Sequence, residues 1–339
     1  KVAEGKPSLK QRLKRYAPVL DSSVPWAKAA IKRIISECAG SEGYDVIIST
    51  AFPASAHSVA YAIKKRQGGI WCADFRDWYG EFAHEDISAE RSFIRQAYLS
   101  LLFKNYARKM DLATTVSPGL RTLISKDFPG VDISVIYNGY FSDSFAGTDC
   151  GDKTWSILYT GSIDGSTIDL SPLVISLEQA NKFGIPFPVM QFTGAENAAV
   201  KAQFPPTIPL EFIGTFPNAE LAKRQRSTCI LILAPARGIG ILNTKTFEYL
   251  AARRPCIVLA DEDSEIVRTA FPEPRDGYCV GRDPKAITEF IIKWRKRYDE
   301  LENSNAFYTD DFISFYSREH QSSELLKVIL NKYKSNEKK

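Results

Sequence analysis

NTKTFEYLAARRP, residues 243–255, lies between two short apolar runs, Cys229–Ala234 (CILILA) and Cys256–Ala260 (CIVLA). Runs of Ile, Leu and Val this short fit strands buried on both faces of a parallel sheet. The segment between them has the signals of a helix start and a helix stop. Asn243 or Thr244 offers a short polar side chain to the free amides of a first turn. Phe247, Leu250 and Ala251 share one face at helical spacing, Arg253 and Arg254 suit the negative C-terminal end, and Pro255 stops the helix. A strand-loop-helix unit aims the helix N-terminus at the crevice beyond the carboxyl ends of the strands, where phosphates bind. Lys245 and Glu248, three residues apart on the first turns, turn a cation and a carboxylate toward one ligand.

The same alternation extends in both directions. Toward the N-terminus, the pattern predicts a strand over Asp45–Thr50, a helix over Ser55–Gln67, a strand over Gly69–Phe75, a long helix over Ala89–Met110, a strand over Leu112–Ser117, a helix from Pro118 and a strand over Ile133–Tyr137 ending at Asn138-Gly139. Ser142–Lys153 is polar and glycine-rich without periodicity, and is read as a linker. Beyond it, strands are expected over Ser156–Tyr159, Phe187–Phe192, Glu211–Ile213 and Tyr278–Val280, with helices over Leu173–Phe183, Glu196–Gln203, Ala219–Arg226, Ser264–Ala270, Ile287–Leu301 and Ser322–Tyr333. Alternating strands and helices imply an α/β protein built of two tandem Rossmann-like domains with a ligand cleft between them. The expected division is 1–145 for an acceptor-side domain, 154–321 for a donor domain and 322–339 for a C-terminal helix with a basic tail.

Composition narrows the function classes. A length of 339 residues with 44% hydrophobic content suits two globular domains, and a net charge of +4 gives no argument for a nucleic-acid partner. The basic residues are concentrated: residues 1–37 hold nine Lys/Arg against three acids. Residues 8–20 and Trp26–Cys38 read as amphipathic helices with basic residues around an apolar line. They either cover a sheet or lie on an anionic membrane surface. Six scattered cysteines without C-x-x-C spacing are expected as reduced thiols of a cytoplasmic protein, and three histidines without ligand spacing predict no metal and no cofactor. No apolar run reaches membrane-spanning length.

Seven stretches together resemble the GT-B glycosyltransferases, in particular retaining family 4. They are DVIISTAFPASAHSVA (45–60), ADFRDWY (73–79), ATTVSPGL (113–120), VIYNGY (135–140), ILYTGSI (157–163), FIGTFPNAEL (212–221) and KTFEYLAARRPCIVLA (245–260). The resemblance implies an enzyme that moves a sugar from a nucleotide-sugar to a glycan or lipid-linked acceptor. It suggests a role in bacterial surface polysaccharide assembly (capsule, lipopolysaccharide or exopolysaccharide), in the cytoplasm or peripheral on the inner membrane. That family uses two glutamates eight positions apart. Glu248 matches the second, which bonds the ribose, while Gly240 stands where the sugar-binding first one belongs. The usual Arg and Lys after the first strand of the second domain are replaced by Gly161-Ser162-Ile163, so Lys245 and Arg237 are the available cations. Thr244 and Asn243 join them at the helix start, with Thr215, Phe216 and Gly194 expected near the base.

In the first domain, Asp74, Arg76 and Asp77 follow a strand and are the candidates for acceptor-side catalysis, with Asp74 or Asp77 as base, unless Asp74 and Arg76 merely brace the loop. His57, Asn138 and Gly139 are expected at the cleft, His57 alternatively as a helix cap and Gly139 as a turn requirement. The family's first strands have no counterpart before Asp45, so the first domain is expected to be incomplete. That gap and Gly240 also leave room for a non-catalytic GT-B module that binds a partner enzyme. A nucleotide-sugar epimerase is a further alternative.

Overall fold

The computed structural model describes residues 23–37, 43–51, 53–77, 101, 104–147, 154–161, 168–235, 242–298 and 307–337. The chain forms two compact units, residues 1–136 with 324–339, and residues 137–323. The expected helix over 8–20 and most of that over Ala89–Met110 lie outside the described residues.

In the first unit, four parallel strands follow one another across the sheet: β1 (Val46–Ala51), β2 (Ile70–Phe75), β3 (Leu112–Thr115) and β4 (Ile133–Val135). Strand side chains alternate between faces, so pairing Ile47 with Trp71 and Ile48 with Cys72 fixes two distinct surfaces. One carries Ile47, Trp71, Ala73, Phe75 and Ala113 and is covered by α1 (Val24–Glu37), α2 (Ser55–Gln67) and α3 (Pro118–Asp127). The other carries Ile70, Cys72 and Leu112, against Ile329 of the last helix, α12 (Arg318–Glu337).

In the second unit, six parallel strands run in the order β10-β9-β8-β5-β6-β7. They are β5 (Ser156–Tyr159), β6 (Val189–Phe192), β7 (Leu210–Phe212), β8 (Ile230–Leu233), β9 (Cys256–Val258) and β10 (Tyr278–Val280). Helices α5 (Ser171–Lys182) and α10 (Pro284–Lys296) cover one face through Leu173, Leu177, Ile287, Ile291 and Trp294. The other face packs against α8 (Thr244–Ala252), α9 (Glu265–Ala270) and α11 (Asp310–Ser314) through Phe247, Leu250, Ile266 and Ile313. The two short helices α6 (Ala198–Lys201) and α7 (Asn218–Ser227) complete the connections. Strand order reverses between β5 and β8. That is a topological switch point, where loops diverge and leave a crevice at the carboxyl ends.

The division differs from the expected one. Residues 137–147 belong to the second unit: Tyr140 N–H donates to Tyr316 O at 3.1 Å and Arg318 N–H to Tyr140 O at 2.8 Å. Part of the expected linker is also ordered structure, since Ser142–Phe145 forms α4 and Arg226 donates to Ala146 O and Gly147 O at 3.1 and 2.7 Å. Cys72, Cys229, Cys256 and Cys279 are buried free thiols.

Candidate functional site

The carboxyl end of β5 and the first turn of α8 meet at the switch point. Asn243 caps α8: its Oδ1 accepts from Thr246 N–H and from Thr246 Oγ1, both at 3.1 Å. Thr244 opens the first turn and is partly exposed. One residue on, Lys245 Nζ donates to Tyr159 Oη at 2.8 Å and lies 4.3 Å from the centroid of that ring. Burial lowers its pKa to about 8, with nearby Glu248 opposing the shift. Gly161 makes room for this ammonium. Its φ is +101°, and a Cβ built there would stand 2.7 Å from Lys245 Nζ. The helix thus places a cation beside the end of β5.

Glu248 sits one turn along, half-buried, with Oε2 accepting from Gln225 Nε2 at 3.2 Å. It borders a shallow depression with Asn218, Leu221 and Phe141. Below it lies a polar layer. Thr160 N–H donates to Tyr249 Oη at 2.9 Å, Gly161 N–H to Thr193 Oγ1 at 2.7 Å, and Gly194 N–H to Gly214 O at 2.7 Å. Gly194, with φ +98°, thus closes a bridge between the loops after β6 and β7. Thr215 is exposed beside it, while one face of the Phe216 ring is already covered by Arg224, 3.9 Å away. Gly240 and Arg237 lie outside the described residues.

The first-unit candidates fare differently. His57 is not at a surface. It is 0% exposed, bonded through Nδ1 to Ser49 Oγ at 2.7 Å and packed against Phe75 and Trp71, so it is a core residue whose pKa burial lowers to about 3. Asp74 is buried and saturated: Thr114 Oγ1 donates to it at 2.8 Å, Arg76 Nε at 3.0 Å and Thr50 Oγ1 at 3.3 Å. Three donors on one carboxylate brace the ends of β1, β2 and β3, as the second of its two expected roles has it. Asp77 is exposed, and partial withdrawal of its carboxyl from water raises its pKa against the pull of Arg76. Asn138 and Gly139 serve local structure in the second unit. Asn138 Nδ2 donates to Leu242 O at 3.0 Å, and Gly139, at φ +63°, has no space for a Cβ, which would lie 2.7 Å from Tyr316 O.

Sequence reasoning missed Tyr159, Thr160, Thr193, Gln225 and Tyr249. For Gln225 a signal exists, because it shares the inward face of α7 with Ala222. An amide at such a position needs a buried partner.

No protein-family model matches the chain, and no curated protein sequence matches it. Solved structures do. Anabaena Alr3699/HepE, in complex with UDP and glucose, superposes with a TM-score of 0.63 at 11% identity, over 96% of this chain and 90% of that one. The fold is GT-B. A glycosyltransferase from Rickettsia africae gives 0.58 at 13% identity over 97% and 84%. The pneumococcal O-GlcNAc transferase GtfA, in complex with UDP and GlcNAc, gives 0.57 at 13% identity over 88% and 59%, so this chain spans little more than half of that protein. Among the described residues, no helix is long and apolar enough to cross a membrane, and no group of three His, Cys, Asp or Glu side chains is placed to hold a metal ion.

Proposed function

We propose that the chain is a glycosyltransferase that binds the nucleoside diphosphate of its sugar donor at the N-terminus of α8. The observation that carries this reading is the placement of Lys245 and Glu248 on one helix at the switch point of a GT-B fold, with Gly161 vacating the space the ammonium fills. Free amides of the capped first turn and the Lys245 ammonium face the diphosphate and offset the charge of the leaving group without a metal. Glu248 accepts from the ribose hydroxyls. Asp77, with its raised pKa, is the remaining acceptor-side base. Glucose and GlcNAc in the neighbouring complexes suit a hexosyl donor. The acceptor is a glycan or lipid-linked saccharide of bacterial surface polysaccharide assembly.

A membrane surface is the second partner in this reading. On α1, Ala27, Ala30, Ile31 and Ile34 face the core, which leaves Trp26 at 55% exposure on the same helix as exposed Lys28, Lys32 and Arg33. An exposed aromatic ring on a helix with exposed basic residues suits anionic lipid headgroups. Thermal-shift titration with UDP-, GDP-, ADP- and CMP-sugars tests the donor site. At least one series is expected to stabilise the protein, and the absence of any response overturns the assignment.

A further inference from the structure

Gln225 uses both N–H bonds of one amide. Nε2 donates to Thr160 Oγ1 at 3.1 Å and to Glu248 Oε2 at 3.2 Å. Thr160 is itself held, since its N–H donates to Tyr249 Oη at 2.9 Å and its Oγ1 lies 3.1 Å from the same oxygen. Thr160, Gln225 and Tyr249 are all fully buried. A reversed amide would set Oε1 against a carboxylate oxygen, so the orientation is set by repulsion as well as attraction. The chain of bonds runs from the end of β5, the central strand at the switch point, to one oxygen of a carboxylate on the rim of a depression. Glutamate on a helix surface ordinarily samples several rotamers, and here one of its two oxygens is tied to the sheet.

We infer that Gln225 is a positioning residue: by holding Oε2 of Glu248 it turns Oε1 toward the vicinal diol of a ribonucleotide, so the site selects ribonucleotides over 2′-deoxyribonucleotides. The inference rests on the donor-site reading above. It differs from that reading in what it demands of a residue that touches no ligand.

The test is calorimetric titration of the full chain with UDP, GDP, ADP and CMP, each against its 2′-deoxy counterpart, and with inorganic pyrophosphate. The proteins are wild type, Gln225→Met, Glu248→Ala and the double variant. Wild type is expected to prefer the best-bound ribonucleotide about tenfold or more, the value of a charge-assisted hydrogen bond. Gln225→Met and Glu248→Ala each lose most of that preference and keep the pyrophosphate affinity, and the double variant loses no more than Glu248→Ala alone. Failure of every nucleotide to bind wild type overturns the donor site and this inference together. Discrimination that survives in Glu248→Ala removes the ribose role. Discrimination that vanishes in Glu248→Ala but persists in Gln225→Met leaves the ribose role standing and overturns the positioning role. If Gln225→Met does not fold, Thr160→Val decides: a partial loss of discrimination supports the anchor, and an unchanged ratio overturns it.

Discussion

An ammonium group that loses water without gaining a carboxylate bond gives up its proton more readily, and Lys245 is in that position. Its direct partner is a neutral phenol, and its pKa falls to about 8. Below pH 8 the cation is present to meet a diphosphate, and above it the proton must be taken up on binding. Nucleoside-diphosphate affinity is therefore expected to be flat up to about pH 8 and then to fall toward tenfold per pH unit, with Lys245→Met weaker and flat throughout; titration calorimetry across pH 6–10 reads this. His57 titrates with the same sign for a different purpose. Its native pKa of about 3 lies below the unfolded value near 6.5, so between those limits the unfolded chain binds one more proton. Stability from this residue is complete above about pH 6.5 and declines by about 1.4 kcal/mol per pH unit below it. Urea denaturation of wild type and His57→Asn between pH 4 and 7 is expected to show the steeper acid loss in wild type. The sequence alone places Lys245 and His57 at helix starts after strands and does not distinguish them. The difference is that Ser49 of β1 and Trp71 of β2 close over His57.

At the scale of elements, α8 has its two ends secured by different means. Its N-terminus depends on Asn243, whose Oδ1 accepts two bonds. Asn243→Ala is expected to cost about 1 kcal/mol in chemical denaturation and, by loosening the first turn, to weaken diphosphate binding as well. Its C-terminus is capped by Arg253 in the left-handed region at φ 49°, where glycine is usual. The guanidinium compensates by pairing with Asp310 and reaching Tyr308 O. Apolar runs between turn signals made β5, β8, β9 and α8 legible in the sequence, because burial on both faces leaves an unbroken hydrophobic record. Helices α4 and α11 left no such record. Four or five residues are too few for a period, and each is held by long-range partners: Arg226 beside α4, and the stacked rings of Phe247 and Tyr316 beside α11. Asp74 reads as a catalytic carboxylate in sequence for a related reason, since Thr50 and Thr114, the donors that saturate it, lie 24 and 40 residues away.

For the whole molecule, Asn243, Lys245 and Glu248, the groups of the proposed donor site, and the polar layer beneath them all belong to the unit of residues 137–323. Hydrogen exchange with saturating nucleoside diphosphate is accordingly expected to slow the amides of 160–161 and 243–248 and to leave those of β1–β3 nearly unchanged; protection centred on β1–β3 would move the site elsewhere. The architecture of each unit was legible because alternation of strands and helices restricts the topology to a parallel sheet. The candidate site was legible only where a helix N-terminus pointed to it. Its supporting layer was not, because Thr160, Gln225 and Tyr249 come from three separate elements and only the fold brings them together.

Gly161 and Lys245 share one volume, and this couples the two positions. With a backbone φ of +101° that side chains rarely adopt, and a Cβ at 161 standing 2.7 Å from the ammonium, a side chain at 161 strains the backbone and displaces the end of Lys245. Without Lys245 the proposed diphosphate site loses its ammonium. The cost of a side chain at 161 is therefore partly the displacement of Lys245, and the two positions are coupled rather than independent.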